Sequence, residues 1–140
     1  MKVTIKTDYA CRALLELSFH WPNIKPLQLS EIAKRQKIPI KFLIHILIQL
    51  KNLGYIDSVR GKMGGYVLAK APPEINFGKL MQDLGDFSIL PHSIKNKDKH
   101  VMDGIWEEID QGLKKIMNEI NFESICNRKR SKDKSIMYEI

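Results

Sequence analysis

Apolar residues recur at helical spacing through the first third of the chain. Ala10, Ala13, Leu14, Leu17 and Trp21 fall on one stripe, which predicts a helix over 7–21 capped by Thr7, with Asp8 in its first turn. Trp21-Pro22-Asn23 ends it, because the residue before a proline is steered out of helical geometry. Leu29, Ile32 and Ala33 give a second, shorter stripe over 29–36, capped at Gln28 or Ser30. Lys37-Ile38-Pro39 makes a turn, with Pro39 suited to the first helical position, where a missing N–H goes unused. A third helix is expected over 40–53. Leu43, Ile46, Leu47 and Leu50 share its inner face; Lys41, His45, Ile48 and Asn52 lie opposite, and Gly54 supplies a left-handed stop.

Beyond Gly54 the pattern shortens. Residues 56–60 and 66–69 read as two strands joined by Gly61-Lys62-Met63-Gly64-Gly65, a loop with the freedom a tight turn requires. Ala71-Pro72-Pro73 breaks the chain, and a fourth helix over 77–84 is entered through Asn76. Residues 86–100 contain Pro91 and a polar run, and read as a loop. A long helix over 101–120 follows. Met102, Trp106, Ile109, Leu113, Ile116 and Ile120 are spaced four, three, four, three, four, a heptad seam interrupted by Gly112. That seam either packs on its own domain or zips against a second copy. The second reading is preferred, because the helical domain before it is already complete. RKRSKDK at 128–134 reads as a disordered or solvated tail.

The fold class that results is mainly α with a small β-hairpin wing: a winged helix-turn-helix followed by a long C-terminal dimerisation helix. The expected organisation is a DNA-binding domain over 1–85, a loop region over 86–100 (the sensor-loop region in the resemblance given below), a dimerisation helix and C-terminal segment over 101–127, and a charged tail over 128–140.

Charge sharpens this picture. The 140 residues carry a net +7, distributed unevenly. Residues 1–70 hold 12 Lys/Arg against 4 Asp/Glu, whereas residues 71–140 hold 11 against 12. The positive field sits on the half with the helix-turn-helix pattern, where it would attract a polyanion with a strength that falls as salt rises. No apolar run is long enough to span a membrane. The N-terminal stretch, interrupted by Arg12 and Glu16, does not read as a secretory signal, so a cytoplasmic location is expected. Two cysteines, Cys11 and Cys126, are too few for a disulfide framework or a zinc knuckle.

A helix that enters a major groove needs polar side chains outward and a buried face behind them. Lys41 and His45 are candidates for bases or phosphates, with Gln49 at the edge. Ile48 either touches thymine methyls or is covered by another part of the protein, the covered reading being favoured. Arg60 and Lys62 are the wing's candidates; an arginine at a hairpin root can enter a narrow minor groove, or it can pair with phosphates or Asp57. Cys11 stands beside Arg12, a cation that would favour its thiolate and make it a redox switch; otherwise it is a small core residue. Cys126 is placed to meet a symmetry mate. His92, Asp98, His100 and Asp103 could make a hard-metal site, although loop histidines are usually solvated. No phosphate loop, nucleophile elbow or His–Glu metal motif occurs, and Asp8, Glu16 and Glu31 read as single charges on helix surfaces, so an enzyme is not expected.

YA at 9–10, LSEIAKRQKIPIKFL at 29–43, LKNLGYIDSVRGKMGGYVLAK at 50–70 and INFGKL at 75–80 resemble the Rrf-two family of bacterial transcription regulators. The likeness is close over about the first 85 residues. It extends loosely to IWEEI at 105–109, similar to the family's dimerisation helix. The resemblance implies a homodimer, probed by a protein or small-molecule effector, that binds double-stranded DNA at a partly palindromic operator. It puts base contacts at Pro39, Lys41, Ile44 and His45, wing contacts at Arg60 and the Gly64-Gly65 backbone, and a phosphate near Lys6. Family members that bind an iron–sulfur cluster carry three cysteines in the sensor loop. Residues 86–104 here contain none, and Asp103 stands at the place of a histidine ligand, so no cofactor is expected. The reading is therefore a DNA-binding repressor, with a protein-docking module and a redox regulator acting through Cys11 as the alternatives.

Overall fold

The computed structural model describes residues 2–85, 88–90 and 100–139. Most of the expected 86–100 loop, including His92 and Asp98, lies outside the described residues. Helix α1 spans Ile5–Phe19. It starts earlier than its apolar stripe predicts because Thr4, not Thr7, is the cap: the Thr4 hydroxyl accepts from the Thr7 N–H at 3.1 Å. Trp21 falls beyond the helix and is exposed rather than part of the buried stripe.

Helices α2 (Leu29–Gln36) and α3 (Ile40–Asn52) form the helix-turn-helix. Lys37 turns the chain in the left-handed conformation, φ 53° and ψ 47°, and the Ile38 N–H reaches back to the Ala33 carbonyl at 3.0 Å. Pro39 is the N-cap of α3 in extended geometry, φ −58° and ψ 133°, rather than its first helical residue. The inner faces of these helices match the periodicity: Ala10, Leu14, Ile32, Leu43, Leu47 and Leu50 are all buried in one core.

Strands β1 (Ile56–Val59) and β2 (Gly65–Leu68) pair antiparallel, with Ile56 opposite Leu68 and Val59 opposite Gly65. Leu27 extends this hairpin by exchanging two main-chain hydrogen bonds with Tyr66, at 3.0 and 2.7 Å. After a 3₁₀ turn at Pro72–Glu74, helix α4 (Phe77–Asp83) begins at Asn76, whose side chain accepts from the Lys79 N–H at 2.9 Å. The buried Tyr55 donates its hydroxyl to Asp83 at 2.6 Å and so fastens the hairpin's base to α4.

Helix α5 (Val101–Asn118) opens with a reciprocal cap. His100 Nδ1 accepts from the Met102 N–H at 3.1 Å, and the Asp103 carboxylate accepts from the His100 N–H at 2.9 Å. At its other end, the Phe77 N–H donates to the Ile120 carbonyl at 2.8 Å and the Phe122 N–H to the Ile75 carbonyl at 3.2 Å. The Asn76 amide adds a bond to the Asn118 carbonyl at 2.8 Å.

Helix α6 (Phe122–Glu139) is the main departure from expectation, since residues 128–134 are helical rather than an irregular tail. Its start is determined locally: the Asn121 side chain accepts from the Ser124 N–H at 2.9 Å, and the Ser124 hydroxyl accepts from the Asn121 N–H at 3.3 Å. Phe122 and Cys126 are buried, and α6 packs on α1. The outer turns stay exposed and carry Lys129–Asp133 at 2.9 Å, an i,i+4 pair of the kind that supports a solvated helix.

Glu16 also departs from its reading as a surface charge. It is buried, and it accepts from Arg35 Nη1 at 3.1 Å and from Gln36 Nε2 at 2.8 Å, with His20 Nε2 at 3.5 Å. Glu16 therefore ties α1 to the C-terminal end of α2.

Candidate nucleic-acid interface

The turn at Lys37 and the buried row on α3 leave the opposite side of α3 facing outward. Lys41, Ile44, His45, Ile48 and Asn52 are all exposed there. Ile44 is 42% and Ile48 53% exposed, so the expectation that Ile48 is covered by another part of the chain is not met. The cause is geometric: at 100° per residue Ile48 points away from the core that takes Leu47 and Leu50. Pro39 is exposed at the helix entrance. Gln49 is half-buried and, with Thr4, Lys6, Thr7 and Leu84, lines an open cleft of about 390 Å³. Lys6 and Gln49, far apart in sequence, are thus brought together.

The wing presents Arg60, Lys62 and Met63 to solvent. Its backbone admits no other residue at Gly64: a Cβ there would run into the carbonyl oxygens of Val59 and Gly61. Gly65, at φ 153°, packs its α-carbon against the Leu27 carbonyl where the hairpin meets the start of α2. The Gln28 amide donates to the Lys62 carbonyl at 3.4 Å, and Lys51 donates to the Ser58 hydroxyl at 2.7 Å. The wing is therefore anchored to both α2 and α3. Lys41, Arg60 and Lys62 form no ion pair among the described residues, and Arg60 does not pair with Asp57. Two further residues stand at this surface that the sequence pattern does not single out: Gln28, whose position reads only as a helix cap, and the exposed Met63, which reads only as part of the loop.

On α5, Met102, Trp106, Ile109 and Ile116 are exposed, and Ile105 joins them. Leu113 and Ile120 are half-buried, Leu113 packing on its own domain's core. The other side of α5 faces inward through Met117 and through Asp110, which pairs with Lys114 at 2.9 Å. The seam is thus mixed: Met102, Trp106, Ile109 and Ile116 stay exposed, whereas Leu113 and Ile120 lean on the domain.

The two cysteines behave otherwise than their sequence neighbours suggest. Burial first, and the Asp8 carboxylate second, push the Cys11 thiol up to about 12. Arg12 does not favour the thiolate, because it is engaged with Asp8 at 2.9 Å. Cys126 is on the buried face of α6; burial raises its thiol and turns it away from a symmetry mate. His100 and Asp103, candidates for a metal, serve the α5 cap through His100 Nδ1 and one Asp103 carboxylate oxygen. No group of three His, Cys, Asp or Glu suited to a metal occurs among the described residues. No described helix is long and apolar enough to cross a membrane.

Residues 3–128 match the family model Rrf2, described as an iron-dependent transcriptional regulator. The chain is 32% identical over 120 residues to the HTH-type transcriptional regulator NsrR of Bacillus subtilis, a match covering 85% of this chain and 78% of that one. Among solved structures it is similar to T. potens IscR, with a TM-score of 0.77 and 28% identity over 92% of this chain and 88% of that chain. It also shares its fold with CymR, the global cysteine regulator of B. subtilis, at a TM-score of 0.80 and 24% identity over 91% and 98% of the two chains. These relatives are regulators of transcription and not enzymes. With a helix-turn-helix, a glycine-built wing and a model match that runs from the first helix into α6, this chain belongs to the Rrf2 family of transcriptional regulators.

Proposed function

We propose that this regulator is a cytoplasmic homodimeric repressor that binds a partly palindromic DNA operator and does so without an iron–sulfur cluster. The observation that carries the reading is the pairing of two exposed features: an outward α3 face and wing bearing cations without an ion pair among the described residues, and an apolar stripe on α5 whose Met102, Trp106, Ile109 and Ile116 stay exposed. Exposed apolar patches of this kind mark association surfaces. Zipping Trp106, Ile109 and Ile116 against a second copy would set two α3 helices on one duplex, and a two-fold protein reads a two-fold site with half-sites one turn, about 34–36 Å, apart or a multiple of it.

In this reading Lys41, His45 and Ile44 meet base edges, with Pro39 at the groove entrance and Gln49 at its edge. Arg60, Lys62 and the Gly64-Gly65 backbone follow the neighbouring groove, and Lys6 holds a phosphate. The donor set does not fit a cluster. The chain has only Cys11 and Cys126, one on α1 and one on the buried face of α6, and none between α4 and α5. Cluster ligation takes several thiolates, and burial holds both thiols in the protonated form.

Duplex selection from a random pool, followed by binding measured against salt, tests the reading. The expected result is a two-fold symmetric site and an affinity that falls steeply with ionic strength, by about one counterion for each phosphate contact. A monomer in solution, or affinity indifferent to salt, would refute it.

A further inference from the structure

The outward face of α3 is not a uniformly polar surface. Going round the helix from the buried Leu43, Ile46, Leu47 and Leu50, the residues that face away are Lys41 and Ile48 at the centre, with Ile44 and His45 flanking. Ile44 and Ile48 stand one turn apart and together form a small aliphatic ridge between cations. Nothing from the described chain lies over it, since the two side chains are 42% and 53% exposed. β-branched side chains are stiff, so the ridge is pre-formed and loses little freedom when it is covered.

Resting on the proposal that α3 enters a major groove, we infer that Ile44 and Ile48 read thymine through its C5-methyl group. The chemistry points one way. The major groove's floor offers a single apolar feature, the thymine methyl, whereas its remaining base edges are hydrogen-bond donors and acceptors. An aliphatic ridge gains nothing against guanine or cytosine edges and leaves them unsatisfied. Lys41, in line with the ridge, suits the acceptors of the same floor, and the unpaired Arg60 and Lys62 of the wing match the phosphates that flank it. An apolar protein partner would leave those cations without counterparts, so the charge around the ridge favours a duplex over a protein. The operator half-site should therefore carry thymines under the second and third turns of α3, with specificity drawn from methyl burial in addition to hydrogen bonds.

The test keeps the natural protein and alters the DNA. After a bound site has been selected from random duplexes, each thymine of one half-site is replaced in turn by deoxyuridine, which removes only the methyl. At one or two positions affinity should fall about fourfold per methyl, the value of burying one such group. The same positions should lose their thymine-over-uracil preference in Ile48→Ser or Ile44→Ser, whose thermal unfolding is checked alongside. Uniform tolerance of uracil overturns the inference while leaving DNA binding intact. A preference that survives both substitutions assigns the methyl to another side chain and overturns it equally. Failure to retain any duplex removes the proposed function itself, and would turn the ridge over to a protein partner.

Discussion

Replacing Glu16 by alanine should destabilise the protein by about 2 kcal/mol, although the residue lies away from the proposed DNA surface. Its side chain is 8% exposed and accepts from Gln36 at 2.8 Å and from Arg35 at 3.1 Å. A hydrogen bond to a charged group contributes about 1.5–3 kcal/mol. The Arg35 side chain is 47% exposed, so water recovers most of that pair's contribution and it counts for about 0.5 kcal/mol. The Gln36 bond is retained at the low end of its range, about 1.5 kcal/mol, because removing the carboxylate also relieves its desolvation. With a urea dependence of about 2 kcal/mol per molar for a domain of this size, the unfolding midpoint should drop by about 1 M with its slope unchanged. Glu16→Gln keeps the shape and one acceptor and should lose about half as much. A midpoint within 0.2 M of the parent for Glu16→Ala would refute the reasoning, by showing that burying the carboxylate costs as much as its two bonds return.

Four further outcomes follow from the same geometry. Ile109→Glu puts a charge in the exposed part of the α5 seam and should raise the dissociation constant of the proposed dimer about 100-fold in sedimentation, the cost of burying an unpaired charge being about 3 kcal/mol, without changing the helical content. Gly64→Ala should abolish operator binding while shifting thermal unfolding only slightly, because the clash with the Val59 and Gly61 carbonyls is confined to the wing; retained affinity would show that the wing is dispensable. The folded state holds the Cys11 proton up to about 12 against an ordinary value of 9.0, so its stabilisation is complete below pH 9 and is lost as pH rises from there toward 12. The stability difference between the parent and Cys11→Ala should therefore shrink across that window, and a difference independent of pH would contradict it. Lys41→Ala should weaken binding; a loss at one base pair marks a base contact, and a uniform loss marks a phosphate contact.

Much of the fold was legible because it is written in local signals. Asn76 caps α4 as its position suggests, Ile32 and Ala33 face inward, and the four-residue row on α3 is buried throughout. What the chain concealed depended on distant partners. Glu16 lies on the same stripe as Ala13 and Leu17, yet its partners Arg35 and Gln36 are about twenty residues away, so only folding reveals that the charge is internal. The α6 helix was hidden because its middle turns, residues 127–135, are polar on every side. Its support comes from the Asn121–Ser124 cap and from Phe122 and Cys126, short-range and burial effects that a charged stretch at 128–134 does not advertise. At the interface, Lys41, Arg60 and Lys62 were visible as exposed cations, but the uncovered state of Ile48 was not, since one sequence cannot say what lies over a side chain.

Where residues 75–77 meet 120–122, the bonds between Phe77 and Ile120 and between Phe122 and Ile75 run from peptide to peptide. Such a joint tolerates side-chain drift on both strands, so evolution can rewrite the surfaces on either side without loosening the hinge pin. It also gears the molecule. At about 1.5 Å per residue, the 18-residue α5 is a lever of about 27 Å, and each degree of tilt about the pin moves its free end by about 0.5 Å. The pin itself sits beside Ile75, which is buried in the same core as α3's Leu47 and Leu50, so the lever's short end is seated in the head that carries α3.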